Sequence, residues 1–192
     1  MQKLFLKKGI SKKSAYNLRN PKDDEFERHT LAILVDNESG VLARVIGLFA
    51  ARGFNIDSLT VSETESKQQL SRITLVTSGS PSVIEKIKVQ VDRLVSVHRV
   101  ADLTADYGQY GALERELALI KVKGTGNKRL EALRLAEAFD AQTVDASLDS
   151  FVFQITGRTR EIDRFINLMA SVGLTEVSRT GVAALKRGAG ST

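Results

Sequence analysis

Cysteine is absent from all 192 residues, which excludes disulfides, thiolate nucleophiles and cysteine-bound zinc. Tryptophan is absent too, and there are only two histidines and two prolines. His29 and His98 have no further ligands at a workable spacing, so no metal site is expected. No apolar run is long enough to span a bilayer, so no membrane association is expected. The N-terminal stretch lacks a long apolar core with a small-residue cleavage site, so no secretory signal is expected. Cytoplasmic residence is the resulting expectation.

Catalytic signatures are equally scarce. No Ser, His and Asp set with supporting motifs is visible. Residues 124–129 (Gly-Thr-Gly-Asn-Lys-Arg) lack the spacing of a phosphate loop and read as a helix-capping loop. The acid clusters Asp23-Asp24-Glu25 and Glu114/Glu116 read as solvated surface. No catalytic residue is assigned, and no cofactor is expected on this chain.

The formal charge is +5, but it is unevenly placed. Residues 1–22 carry seven bases (Lys3, Lys7, Lys8, Lys12, Lys13, Arg19 and Lys22) and no acid. The rest carries 21 bases against 23 acids, so the body presents no basic surface for nucleic acid. The basic start reads as a solvated extension, with a transit peptide or an electrostatic docking arm as alternatives.

Hydropathy patterning supplies the architecture. Residues 28–35 form a nearly continuous apolar strand. Over 40–52, Val41, Leu42, Val45, Ile46, Leu48 and Phe49 recur at helical spacing, and Gly53 stands where a left-handed cap is expected. Strands are expected at 55–63 and 71–77 around a polar loop at 64–70. Pro81 opens a second helix lined by Val83, Ile84, Ile87, Val91 and Leu94. A strand over 95–103 completes β-α-β-β-α-β. The order recurs with strands at 116–123, 142–147, 151–156 and 174–184, and helices at 127–139 and 159–172. The reading is α+β, with two ferredoxin-like βαββαβ domains. The expected divisions are a basic extension (1–27), a first domain (28–104), a linker (105–115), a second domain (116–185) and a tail (186–192). One sheet face of each small unit should lie bare, so a homodimer is the expected smallest stable species.

The candidate site is the polar turn Asp36-Asn37-Glu38-Ser39-Gly40-Val41-Leu42, followed by Asn55-Ile56. First-turn N–H groups of a helix have no partner within the helix, and the dipole adds positive charge there. A small carboxylate suits that end. Gly40 permits close approach, and Asn37 and Asn55 can each donate and accept. Ile56, Val41 and Leu42 can flank an aliphatic side chain. A simpler reading also fits: Asn37 or Ser39 caps the helix, and Asn55 only leaves a glycine turn.

The local sequence adds a resemblance. Residues 28–103 resemble the ACT domain, an amino-acid-sensing βαββαβ module. More narrowly, residues 28–187 resemble the small regulatory subunits of acetolactate synthase (acetohydroxyacid synthase). The likeness is carried by residues 36–49, by 52–61 (Arg-Gly-Phe-Asn-Ile-Asp-Ser-Leu-Thr-Val) and by 71–74 (Ser-Arg-Ile-Thr). It continues at 94–97 (Leu-Val-Ser-Val), 114–122 and 177–185. The resemblance implies a non-catalytic subunit that activates an acetolactate synthase large catalytic subunit and confers feedback inhibition by valine, or by leucine or isoleucine. It implies thiamine diphosphate, Mg²⁺ and commonly FAD on that partner. It implies an effector held between two ACT domains of a dimer. Asn37, Gly40, Val41 and Leu42 would bind from one chain, with Glu38 and Ser39 shaping the loop, and Asn55 and Ile56 from the other. The second domain would serve dimerisation and tuning. The competing expectation is a stand-alone amino-acid sensor such as a transcriptional regulator. The near-neutral body and the lack of a helix-turn-helix pattern count against it.

Overall fold

The computed structural model describes residues 27–64, 69–104 and 112–188. The basic extension up to residue 26, the middle of the 64–70 loop, most of the expected linker and the last four residues lie outside the described residues.

The first unit runs β1 (Glu27–Asp36), α1 (Val41–Ala51), β2 (Ser58–Glu63), β3 (Leu70–Gly79), α2 (Pro81–Asp92) and β4 (Val97–Asp102). Its sheet has the order β2-β3-β1-β4, antiparallel throughout. Period-two alternation sends Leu31, Ile33 and Val35 of β1 to one face, where they meet Val41, Val45 and Phe49 of α1 and Ile84, Ile87 and Val91 of α2. The apolar stripe on α1 is therefore the cause of its docking. Its end follows from Gly53 with φ +68°, where Phe54 N–H reaches Phe49 O at 3.0 Å and Gly53 N–H reaches Ala50 O at 3.1 Å.

The second unit runs β5 (Ala112–Lys123), α3 (Asn127–Ala138), β6 (Gln142–Ala146), β7 (Ser150–Gly157), α4 (Thr159–Val172), β8 (Leu174–Arg179) and β9 (Ala183–Lys186). Strands order as β6-β7-β5-β8, with β9 also on β5. Ile120, Phe153, Ile162, Phe165 and Met169 are fully enclosed between this sheet and its helices. At the start of α4, Glu161 Oε2 accepts the Arg158 N–H at 2.8 Å, satisfying one donor at the helix entrance. Two βαββαβ units of ferredoxin-like plan are thus present, an α+β fold.

Two differences from the sequence reading share one cause. β5 begins at Ala112, so residues 112–115 of the expected linker are strand. The strand expected over 174–184 is divided into β8 and β9. Both border β5: Ala118 pairs with Arg179 and Arg115 with Ala183. Two residues separate Arg115 from Ala118 on β5 and three separate their partners, so Thr180–Val182 holds a one-residue bulge. Gly181 supplies it at φ +83°.

The bulge redirects β9 onto the first sheet's far face. Ala32, Val76, Ala101 and Leu103 of the first unit enclose Val182 and Ala184 there, with Ala112 beside them. Arg72 Nη2 donates to Ala184 O at 2.9 Å, and burial pushes the Arg72 pKa down. The face expected to lie bare is therefore covered in part by the chain's own C-terminal strand.

Candidate functional site

The turn between β1 and α1 carries most of the expected site residues. Asn37, Glu38, Ser39 and Gly40 are all exposed. The N-cap of α1 is Gly40, at φ +87° and ψ −5°, and no side chain caps the helix. Capping by Asn37 or Ser39 is therefore not what the structure shows. The Val41 N–H reaches Glu38 O only at a long 3.4 Å, and no side-chain oxygen caps the first-turn amides. Arg44 N–H already returns to Gly40 O at 3.0 Å. An added Cβ at Gly40 would meet nothing within 4 Å, so the approach to those amides is open.

Asn37 is held at both ends. Its backbone N–H donates to Gln69 O at 2.8 Å, and its Nδ2 donates to Glu63 Oε1 at 2.8 Å. Glu63 was not among the sequence-derived site residues. It lies 26 positions away at the end of β2, and no local pattern announces a pairing of that range. Its carboxylate puts negative charge beside Asn37, and the Asn37 carbonyl oxygen is left to accept an ammonium group. Nearby, Arg44 Nη2 donates to Ser96 Oγ at 3.1 Å and stands 3.9 Å from Glu38 Oε2. Backbone amides with Arg44 at the helix end, and Glu63 at the strand end, give the turn the polarity of a receptor for a zwitterion.

Of the apolar candidates, Val41 is 3% exposed and points into the core, whereas Leu42 is 37% exposed. Leu42 can offer its side chain to a guest, and Val41 its main chain. Ile56 is half-buried against the first core.

Asn55 and Ile56 are not beside this turn in one chain. The Asn55 carbonyl accepts from Thr77 Oγ1 at 2.6 Å, while Asn37 is tied to Gln69, the residue before β3. Leu70 and Thr77 lie at opposite ends of β3, roughly 23 Å apart at strand rise. Asn55 Nδ2 donates to Asp57 Oδ1 at 2.7 Å, and Asp57 Oδ2 accepts from Ser78 Oγ at 2.8 Å. The two asparagines thus mark opposite corners of the sheet, both close to the edge strand β2.

The histidines are engaged elsewhere. His29 Nδ1 and Asp102 Oδ2 are 2.8 Å apart in the interior, and His98 Nε2 lies 2.6 Å from Asp36 Oδ1 on the surface. Among the described residues, no three His, Asp or Glu side chains are grouped to hold a metal ion. No described helix is long and apolar enough to cross a membrane.

Comparison with known proteins covers both units. Residues 31–99 match the family described as the AHAS small subunit-like ACT domain. Residues 115–188 match the family described as the small subunit of acetolactate synthase. A probable acetolactate synthase small subunit from Archaeoglobus fulgidus is 44% identical over 161 residues, covering 84% of this chain and 98% of that one. The acetolactate synthase isozyme 3 small subunit of Escherichia coli is 41% identical, covering 84% and 96%. The crystal structure of an acetolactate synthase small subunit from Thermotoga maritima superposes with a TM-score of 0.76 at 37% identity, covering 85% of this chain and 99% of that one.

Proposed function

The chain belongs to the family of acetolactate synthase small subunits, and from that membership we propose that it is the regulatory, non-catalytic subunit of an acetolactate synthase. In this reading it raises the activity of the large catalytic subunit and lowers it when valine, or leucine or isoleucine, accumulates. Thiamine diphosphate, Mg²⁺ and FAD belong to the catalytic partner, which performs the condensation. This chain contributes a binding site and a means of passing on its occupancy.

The observation that carries the effector site is the uncapped start of α1 at Gly40, flanked by Asn37 and Glu63. The amino acid's carboxylate would take the first-turn amides, where dipole and unpaired N–H groups favour an anion. Its ammonium would lie toward the Asn37 carbonyl and Glu63. Leu42 would line the aliphatic part.

A homodimer completes the site by simple geometry. Among the described residues β2 has β3 as its one strand partner, so it is an edge strand. Two β2 edges related by a two-fold axis run antiparallel. The Glu63 end of one strand then faces the start of the other. That pairing brings Asn55 of the partner subunit and Ile56 of the partner subunit toward Asn37. Two equivalent sites per dimer follow. The domain division at residues 28–104 and 116–185 belongs to the same proposal, with the first domain binding effector and the second tuning the response.

Titration calorimetry of the purified chain tests the site. Valine should bind the wild type, and Asn37→Ala should weaken it by about 1.5 kcal/mol, roughly tenfold in Kd, for a lost hydrogen bond to a charged group. No heat of binding with any of the three branched-chain amino acids would refute the reading.

A further inference from the structure

The two units meet at a contact that lies at the opposite corner of the first sheet from Gly40. Val182 N–H donates to Ser58 Oγ at 2.9 Å, across 124 positions of sequence. Gly181 presses so close to β2 that an added Cβ would stand 2.9 Å from Ser58 Oγ, 2.9 Å from Thr60 Oγ1 and 3.2 Å from Leu59 O. The approach therefore needs a residue without a side chain, and φ +83° needs one for a second reason.

A cleft of about 400 Å³ opens beside this contact, and Asp57, Glu116, Asp163 and Arg179 are among its walls. Its ionic groups already have partners: Asp57 accepts from Asn55 and Ser78, and Arg179 joins the other two acids. Arg179 Nε and Nη2 donate to Glu116 at 2.7 and 2.8 Å, and Nη1 donates to Asp163 at 2.7 Å. The Glu116 hydrogen bonds, more than Asp163, hold the Arg179 guanidinium above its ordinary pKa. Groups engaged in this way leave little for a diffusing ligand. The cleft has the character of a joint.

One side of the joint connects to Asn55. Asn55 Nδ2 holds Asp57, and Asp57 adjoins Ser58, which holds Val182. The other side connects to α4, because Arg179 directly precedes the Thr180–Val182 bulge and clasps Asp163 of that helix. The docked arrangement is not fully satisfied: Thr60 Oγ1 is buried there without a hydrogen-bond partner. A buried hydroxyl in that state costs free energy.

We propose that docking of Thr180–Val182 against Ser58 and Thr60 is the joint through which a change at Asn55 reaches the second domain, with Ser58 and Gly181 as positioning residues. The identity of the effector rests on the reading above; the joint itself does not. An amino acid that engages the Asn55 amide competes with Asp57. Releasing Asp57 shifts the start of β2, and Ser58 carries that shift to Val182. The bulge then moves Arg179 relative to α4. This is a named two-state element that both sites can bias.

Amide hydrogen exchange on the full chain tests it. The hydrogen bonds of Asn55 go to Asp57 and Thr77, both within the first unit. Even so, Asn55→Ala should speed exchange at Val182 by about threefold, and Ser58→Ala by about tenfold, with Ile120 and Phe153 unchanged. Saturating valine should change exchange at the same amide in the wild type by about threefold, and leave it unmoved in Ser58→Ala. Unaltered exchange at Val182 in Asn55→Ala overturns the joint. So does an equal change at Ile120, which would mark general loosening. Should calorimetry detect no valine binding, the effector reading falls and the Asn55→Ala comparison still decides the joint.

Discussion

Gly40 holds its backbone at φ +87° with open space where a side chain would begin. Its value to the site is conformational rather than steric. Gly40→Ala should cost about 1–2 kcal/mol of stability, the penalty of a left-handed L-residue, measurable by urea unfolding. The same substitution should weaken effector binding, because relief of the strain turns the first-turn amides away. Asn37 and Glu63 act as a pair in this account, one neutral and one charged. The first was legible from the sequence because it lies in the polar turn that leads into a helix; the second was not, because its partner is distant along the chain. A further residue-scale prediction concerns acid. Asp149 is exposed, and its carboxyl is held below the usual range by the Ser147 hydroxyl first and by Lys123 second. Its folded pKa is thus depressed. The stability it contributes is present above the ordinary carboxylate range and is lost as pH falls through the folded value. Thermal melts of Asp149→Asn should show a lower midpoint than wild type near pH 7 and no difference in strong acid.

Helices were the elements most faithfully written in the sequence. The 3.6-residue spacing of Val41, Val45 and Phe49 places them in one core, and Ile162, Phe165 and Met169 do the same in the other. The strands at the C-terminal end were harder to read. Residues 174–184 read as one strand, and the bulge that breaks them depends on β2 and β5, both far away in sequence. Likewise, Ala112–Arg115 is strand only because β9 lies beside it. Local pattern cannot announce a pairing whose partner is some seventy residues off. The contribution of β9 is testable: Val182 is 2% exposed in the cluster joining the two units. Val182→Ala should destabilise the chain by about 1–3 kcal/mol through lost burial and a cavity. It should also separate the urea unfolding of the two units, which the wild type should complete in one transition.

Taken whole, the molecule is two similar sheets, each with helices on one face, fastened by a strand from the second lying across the back of the first. That fastening accounts for part of the bare surface that suggested dimerisation, but it leaves β2 an edge strand among the described residues. The expected site is split between the two ends of β3, so a single chain holds its halves apart. Sequence pattern proposed both groups, Asn37–Leu42 and Asn55–Ile56; their separation along β3 is a property of strand direction. In the proposed function, activation and feedback would be linkage: an amino acid bound between two protomers would favour one arrangement of the dimer and draw the holoenzyme with it. The most direct measurement is turnover of a purified acetolactate synthase catalytic subunit with and without this chain, across a titration of valine. The account predicts faster turnover on adding the chain and a valine-dependent fall, with a coupling of about 1–3 kcal/mol, that Asn37→Ala shifts to higher valine concentration. Turnover and valine response identical with and without the chain would contradict it.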